Sequence, residues 1–179
     1  MLNISYVYDL PFFRNATGRT RDLLGGWQFA GITSIQTGTP FSITYSTFGD
    51  NAGVSNGAGP GTFADLVGDP DGSPCGDPNA AAGPLLYNPC AFAAPTGLTF
   101  GNAGGNILRI PRTANFDMSL LKKFKISEAT GFEFRAEAFN IFNHTQWNGV
   151  NNDQASGDFL HSSGARRART FRFGFKFHF

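Results

Sequence analysis

The chain has 179 residues, a formal net charge of +1 and only 15% charged side chains, yet it carries 20 phenylalanines and 23 glycines. A net charge so close to zero gives no general electrostatic reason to expect a nucleic-acid partner. The sequence contains no run of about 18 apolar residues, which excludes a membrane-spanning helix. So many phenylalanines in a weakly charged chain nevertheless require an extensive apolar environment.

Apolar and polar residues alternate in five stretches, and none of the five fits a helical spacing better. The first stretch runs from Leu2 to Leu10 and is ended by Pro11. The second runs from Gly26 to about Thr47, which is long for one strand, so we expect Gly38 and Pro40 to mark a bend or bulge. The alternation predicts an all-β chain.

The third and fourth stretches, Asn115 to Ile126 and Phe132 to Phe142, predict a hairpin. Residues 127–131, which separate them, have the composition of a tight turn. Lys122 interrupts the apolar face of the third stretch. A lysine is tolerable there if it lies near a membrane rim, because its aliphatic stem can snorkel.

Pairing the two stretches about this turn predicts the register of the hairpin. Lys125 is expected opposite Glu133, and Lys123 opposite Arg135, all on the polar face. Opposite charges in such positions are favourable and like charges are not, so Arg135 is expected to lean diagonally toward another acid.

The fifth stretch, Thr170 to Phe179, is the most regular, because every second residue from 171 onward is phenylalanine. Arg172, Gly174, Lys176 and His178 occupy the positions between them. We expect the phenylalanines to face lipid and the charged residues to face an interior. The phenylalanine face consists of Phe171, Phe173, Phe175, Phe177 and Phe179.

The connections between the stretches are very unequal in length. Residues 48–114 form one long segment rich in Gly, Pro, Asn, Asp and Ala, and residues 143–168 form a second. Loops of this length are uncommon in compact soluble domains, but membrane barrels combine short periplasmic turns with long outer loops. If the carboxyl terminus is periplasmic, both long loops are extracellular. The sequence thus predicts about five antiparallel transmembrane β-barrel strands, an incomplete barrel with long extracellular loops.

Several blocks of sequence resemble the end of TonB-dependent outer-membrane receptors of the Oar-like kind. The resemblance covers nearly all of residues 1–179 as one C-terminal barrel segment and is weakest in the long loop. The blocks are Gly25-Gly26-Trp27-Gln28-Phe29, Gln36-Thr37-Gly38-Thr39-Pro40-Phe41, Asn115-Phe116-Asp117-Met118-Ser119 and Phe134-Arg135-Ala136-Glu137-Ala138-Phe139-Asn140-Ile141-Phe142-Asn143-His144, followed by a terminal Phe.

The resemblance implies a barrel of roughly 22 strands, filled by a plug and taking up a large ligand with energy passed through TonB. This chain has neither a plug nor a segment for contacting TonB, and its amino terminus lacks a secretory signal. We therefore expect it to be part of a longer polypeptide. The implied partners are outer-membrane lipid and the barrel-assembly machinery, which would read the terminal strand through an assembly signal that consists of Phe171, Phe173, Phe175, Phe177 and the final Phe179.

No residue pattern supports a catalytic, cofactor or metal site, and we expect no enzyme activity. The histidines are widely spaced and Cys75 and Cys90 lack a zinc-type partner pair. Loop aspartates lack the alternating ligands of a calcium loop, so a solvated loop is the favoured interpretation. The residues considered are His144, His161, His178, Asp50, Asp65, Asp69, Asp71 and Asp77.

Two further features of the loops carry expectations. Cys75 and Cys90 share one outer loop, and an exported chain meets an oxidising compartment, so a disulfide between them is expected. Arg166, Arg167, Arg169 and Arg172 cluster where the last strand leaves its loop. They are in a position to meet lipopolysaccharide phosphates, although a solvated rim is the simpler interpretation.

A secreted β-sandwich for adhesion or carbohydrate binding is the alternative, since it also has short strands and Gly-rich loops. In a sandwich, five alternate phenylalanines would need a facing sheet, and the last strand would have no reason to end on Phe179. A barrel places those side chains in lipid.

Overall fold

A computed structural model describes residues 1–13, 15, 17–46, 62–77, 79–96 and 99–179. In these ranges the chain forms thirteen strands, a short helix α1 (Arg19–Leu24) and two 3-10 helices (Ala80–Ala82 and Pro89–Ala91). None of the helices in these ranges is long and apolar enough to cross a membrane. The strands are β1 (Leu2–Asp9), β2 (Trp27–Gln36), β3 (Pro40–Phe41), β4 (Thr44–Tyr45), β5 (Thr62–Phe63), β6 (Asp65–Leu66), β7 (Phe92–Ala93), β8 (Leu108–Arg109), β9 (Thr113–Lys125), β10 (Gly131–Phe139), β11 (Trp147–Val150), β12 (Ser162–Ala165) and β13 (Thr170–His178).

The chain divides into two compact units. The first, which we call the sheet unit, comprises Met1–Thr37, Thr113–Thr145 and Arg167–Phe179. The second, the loop unit, comprises Gly38–Arg112 and Gln146–Arg166. The loop unit therefore interrupts the sheet unit twice along the chain, between β2 and β9 and between β10 and β13.

The sheet unit is built on one antiparallel sheet with the strand order β1-β2-β9-β10-β13. These five strands come from the five alternating stretches, so the expected all-β, antiparallel, incomplete-barrel fold is confirmed. The five long strands lie side by side in the sheet in the same order in which they follow one another along the chain. The two connections that contain the loop unit separate strands that are hydrogen-bonded side by side.

The register brings the apolar sets of all five strands onto a single face, which we call the apolar face. One row across the sheet contains an apolar residue from every strand. Side chains alternate between the two faces along a strand, so every second row across the sheet lies on this apolar face. The row runs Tyr8, Phe29, Leu120, Ala136, Phe173.

A glycine interrupts the apolar face opposite Tyr6 and is covered by that tyrosine. Gly31 pairs with Tyr6 across β1 and β2, and a Cβ at Gly31 would lie 2.6 Å from Cζ of the tyrosine ring. The missing side chain leaves room for the ring beside the backbone of Gly31, and the ring centroid is 5.8 Å from that of Phe29.

The second stretch is interrupted at the expected place, but the interruption ends the strand and is not a bend or bulge within it. β2 ends at Gln36, and the next residues pair only in two-residue strands of the loop unit, such as β3 with β8. At Gly38 an added Cβ would collide with the carbonyl of Ile110. Gly38 and Pro40 therefore mark the point where the chain leaves the sheet. Gly38 lies too close to the backbone of Ile110 to carry a side chain, and Pro40 has no backbone N–H to donate. Thr47 lies outside the described residues.

The hairpin register differs from the expected one by two residues. Glu133 lies opposite Lys123, not Lys125, and Arg135 lies opposite Leu121. The cause is in the turn, where the amide of Ile126 donates to the carbonyl of Thr130 at 2.9 Å, so Ile126 belongs to the turn and not to the strand. Because the shift is an even number of residues, each side chain keeps its face.

The fourth strand is also shorter than expected, ending at Phe139. Asn140 has a φ of 50°, a left-handed conformation that asparagine adopts more readily than most residues, and it starts a turn. Ile141 therefore lies in this turn and not in the strand, so the predicted strand from Phe132 to Phe142 loses its last three residues. The segment before β2 holds the short helix α1, which its composition did not reveal.

The long loops were expected to be solvated, but in the loop unit they fold around a core of their own. Rings of Phe92 and Phe159, from different loops, meet edge to face with centroids 5.8 Å apart. The two 3-10 helices and the short strands of this unit supply part of its backbone hydrogen bonds, and bonds between loop segments, such as that from the amide of Leu86 to the carbonyl of Leu160, supply others. The core consists of Ile43, Ala64, Ala91, Phe92, Ala103, Leu108, Phe159 and Leu160.

Candidate functional site on the sheet and in the loop unit

The apolar face of the sheet is exposed along its last strand. The five phenylalanines from Phe171 to Phe179 have between 54% and 99% of their surface accessible. Their neighbours on β10 and β9 continue the same surface, with Phe134 5.1 Å from Phe175 and Phe124 stacked 4.3 Å from Phe132, measured between ring centroids. Exposed aromatic area of this extent is suited to hydrocarbon and not to water.

The opposite, polar face carries a row of alternating charges on β9 and β10. Glu133 is approached by Arg135 at 3.1 Å and by Lys123 at 4.0 Å. Arg135 also lies 3.8 Å from Glu137, so it spans two acids along its own strand. The acids that Arg135 contacts are therefore its neighbours along β10 and not the diagonal, cross-strand acid that we expected, because Arg135 is paired with Leu121 and not with Lys123. A face with this chemistry suits a water-filled interior.

Lys122 lies on the apolar face, and its charge is covered by neighbouring side chains. It is 3% exposed, and its Nζ lies 5.9 Å from the centroid of Trp27 and 5.1 Å from that of Phe124. The ammonium donates a hydrogen bond to the carbonyl of Gly25. Instead of reaching out to water, Lys122 is satisfied locally by a carbonyl and two aromatic faces.

A turn at the end of β10, residues 140–144, is organised by the side chain of Asn140. Asn140 is 7% exposed, and its Nδ2 donates to the carbonyls of His144 at 3.1 Å and Arg167 at 3.4 Å. Its Oδ1 accepts from the amide of His144 at 3.1 Å. One buried side chain thus joins the end of β10 to the segment that enters β13.

The arginine cluster at the start of β13 does not form a single surface. The guanidinium of Arg169 lies 5.5 Å from the ring of Phe171, which is on the apolar face. The guanidinium of Arg172 lies 5.1 Å from the ring of Phe139, on the polar face, and Arg172 pairs with Glu137 in the register. Arg166 belongs to the loop unit.

Cys75 and Cys90 form a disulfide in the structure, with 6.1 Å between their Cα atoms. The bond ties the segment after β6 to the 3-10 helix Pro89–Ala91. Asn88 caps that helix by accepting from the amide of Cys90 at 3.1 Å. Asp77, two residues after Cys75, contacts a residue to which the sequence gave no structural role, His161.

His161 is a buried histidine of the loop unit, 1% exposed. Its Nε2 lies 2.8 Å from Oδ1 of Asp77, and its Nδ1 lies 3.0 Å from the carbonyl of Phe159. Burial lowers the pKa of His161, but the hydrogen bonds to Asp77 and Phe159 raise it by more, so the pKa is above its ordinary value. Because both ring nitrogens face acceptors, the charged imidazolium fits this pocket best.

The other residues considered as metal ligands are dispersed. Asp69 accepts from the amide of Asp71, and Asp65 from the amide of Asn102, each at 3.0 Å, so these carboxylates stabilise loop backbone. Among the described residues, no group of three His, Cys, Asp or Glu side chains is placed to hold a metal ion. Asp50 lies outside the described residues.

These observations define the class of protein. An antiparallel sheet with one apolar, exposed face and one charged face is the wall of a transmembrane β-barrel, in which every backbone group is paired between strands. The chain belongs to the family described as outer membrane beta barrel domain, whose model matches residues 1–172. It is a protein of the bacterial outer membrane, and this membership decides against the β-sandwich. No curated protein and no solved structure matches it.

Proposed function

We propose that this chain is part of a TonB-dependent receptor of the Oar-like kind, which takes up a large ligand across the outer membrane. The observation that carries the proposal is the position of the resembling blocks in the sheet. Gly26, with a φ of 69°, opens β2. The block from Asn115 lies in β9, and the block from Phe134 forms β10 and its terminal turn. Three of the four blocks thus lie at the start, middle or end of a wall strand, and the fourth, Gln36 to Phe41, begins at the last residue of β2 and continues into the loop unit.

In this proposal the chain supplies wall and loops and has no catalytic role. The carboxyl terminus is periplasmic, so the segments that form the loop unit are extracellular, where a ligand would first be met. TonB acts through a plug encoded elsewhere in the full receptor. The barrel-assembly machinery reads the terminal strand, with Phe179 as its last aromatic residue.

Transport is tested on the full-length protein. We expect the reading frame to continue upstream into further strands and a plug, and the purified receptor to bind the periplasmic domain of TonB. Deleting the plug should abolish that binding while the barrel still inserts. A protein that inserts in the outer membrane but has no plug and does not bind TonB would refute the transport proposal.

Assembly is tested separately by removing Phe179 from the full-length protein. We expect less folded, heat-modifiable barrel in the outer membrane at unchanged synthesis. A matched control is Phe177→Leu, which keeps an apolar side chain on the same face and leaves the last residue in place. Equal amounts of folded barrel in all three proteins would show that the terminal aromatic residue is not a signal.

A further inference from the structure

The apolar face ends, beside the start of β13, in a small surface of aromatic and basic side chains. We call it the rim surface and define it as Phe142, His144, Arg169 and Phe171. Phe142 packs edge to face on Phe116, with 5.0 Å between centroids, and Phe116 lies on the apolar face. The His144 ring lies 6.0 Å from that of Phe142. The rim surface is therefore continuous with the face that contacts lipid.

Arg169 is held in place on this surface with most of its donors open. One guanidinium nitrogen donates to the carbonyl of Ile141 at 3.3 Å, and its backbone amide donates to Oδ1 of Asn143 at 3.0 Å. A guanidinium has five N–H donors, so one bond to a carbonyl leaves further N–H groups available to a ligand. The ion pairs within the described residues all involve other groups.

The turn at 140–144 provides this preorganisation. Asn143, like Asn140, has a left-handed backbone, with a φ of 52°. This conformation presents the Ile141 carbonyl and the Asn143 side chain to Arg169, while Phe142 is placed on the apolar side. A guanidinium fixed over an aromatic ring loses less freedom on binding a ligand than one that is unrestrained.

The charge and the location together indicate the ligand. A cation with no acidic partner in the described part of the chain, at the edge of a hydrocarbon-facing surface, is complementary to an anion that is itself attached to hydrocarbon. A guanidinium fork fits phosphate oxygens in a bidentate manner, and the His144 ring can add an N–H donor. We propose that the rim surface binds the phosphate group of a membrane lipid, with Arg169 as its main ligand.

The test uses the full-length protein extracted in mild detergent and measures binding of phosphorylated lipid A and of the same lipid A after enzymatic dephosphorylation. The unaltered protein should bind the dephosphorylated lipid about tenfold more weakly, as expected for loss of a charge-assisted contact. Arg169→Gln should weaken binding of phosphorylated lipid A by a similar factor. The matched control Arg172→Gln removes the same charge from the opposite face and should change binding less than about twofold.

Heat-modifiability verifies that each variant is folded, and the comparison of the two lipids on the unaltered protein does not depend on any variant. Equal binding of the two lipids would overturn the proposal. Equal losses in the Arg169 and Arg172 variants would also overturn it, because the effect would then be one of net charge. Inorganic phosphate that binds as tightly as the lipid would assign the surface to a free anion and not to a lipid.

Discussion

The carboxylate of Asp117 accepts a hydrogen bond from the backbone amide of Asn140, with 2.9 Å between Oδ1 and N. Asp117 lies within β9, whereas Asn140 is the first residue after β10. The bond satisfies an amide that leaves the sheet ladder, and the Asn140 side chain then organises the turn that follows. The contact thus extends the pairing of two blocks of the family resemblance beyond the β9–β10 ladder.

Asp117→Ala should destabilise the sheet by about 1 to 2 kcal/mol, because it leaves the part-buried amide of Asn140 without its charged acceptor. Asp117→Asn keeps an oxygen acceptor and should cost less. Ser119→Ala, on the same face of the same strand, is the control. Unfolding in urea in lipid vesicles measures all three, and equal effects of the Asp117→Ala and Ser119→Ala changes would contradict this role.

The hairpin register can be read by cysteine crosslinking. The pair Lys123→Cys with Glu133→Cys should form a disulfide, since these residues are direct partners in the sheet. The pair Lys125→Cys with Glu133→Cys is the matched control and should not, because Lys125 faces Gly131. Peptide mapping by mass spectrometry distinguishes new bridges from the native one. Preferential bridging of the second pair would restore the register expected from the sequence.

Phe175 lies in the middle of β13 on the apolar face and is 74% exposed to its surroundings. Phe175→Arg should cost about 2 to 4 kcal/mol in a bilayer, because an arginine near the midplane must be desolvated. Lys176→Ala, one residue along and on the polar face, should cost little. The two variants are compared by reversible unfolding in vesicles. Similar costs for both would mean that the faces are assigned wrongly.

The disulfide between Cys75 and Cys90 closes a loop with a sequence separation of 15. Its removal by Cys75→Ser with Cys90→Ser should destabilise the loop unit by about 3 kcal/mol in the chain-entropy model. The sheet should keep its heat-modifiability, because the bridge lies within the loop unit. Thiol labelling of unreduced protein should modify neither cysteine, and labelling of both would show that the bond is absent in the cell.

The loop unit should lose stability as the pH rises. The folded-state pKa of His161 is raised above its ordinary value, so its stabilising contribution is complete below that ordinary value and is lost as the pH rises through the folded-state pKa. Loss of one proton leaves one ring nitrogen as an acceptor that faces a second acceptor, either the Asp77 carboxylate or the Phe159 carbonyl. Urea unfolding measured from acidic to alkaline pH should show this decline, and His161→Gln should remove it. An unchanged pH profile in the variant would assign the decline to other groups.

The alternation of side chains was sufficient to predict the sheet. Period-two patterning places every second residue on one face wherever the strand pairs, so Phe171 to Phe179 and their counterparts on the other strands identified the apolar face from sequence. The even shift of the hairpin register left that assignment intact. The first residue of the turn could not be predicted, because isoleucine is a residue type common in strands. Only the hydrogen bond between Ile126 and Thr130 shows that Ile126 belongs to the turn.

The loop unit and the rim surface depended on contacts between residues far apart in the chain. Asp77 and His161 are separated by 84 positions, and neither residue has a local pattern that points to the other. The split of Arg169, beside Phe171, from Arg172, beside Phe139, is by contrast what the alternation along the chain already gives. The sequence by itself determined which side chains share a face, because that is a property of local backbone geometry. Only the tertiary structure decided which distant polar groups meet, because hydrogen bonds between loops depend on how the whole chain packs.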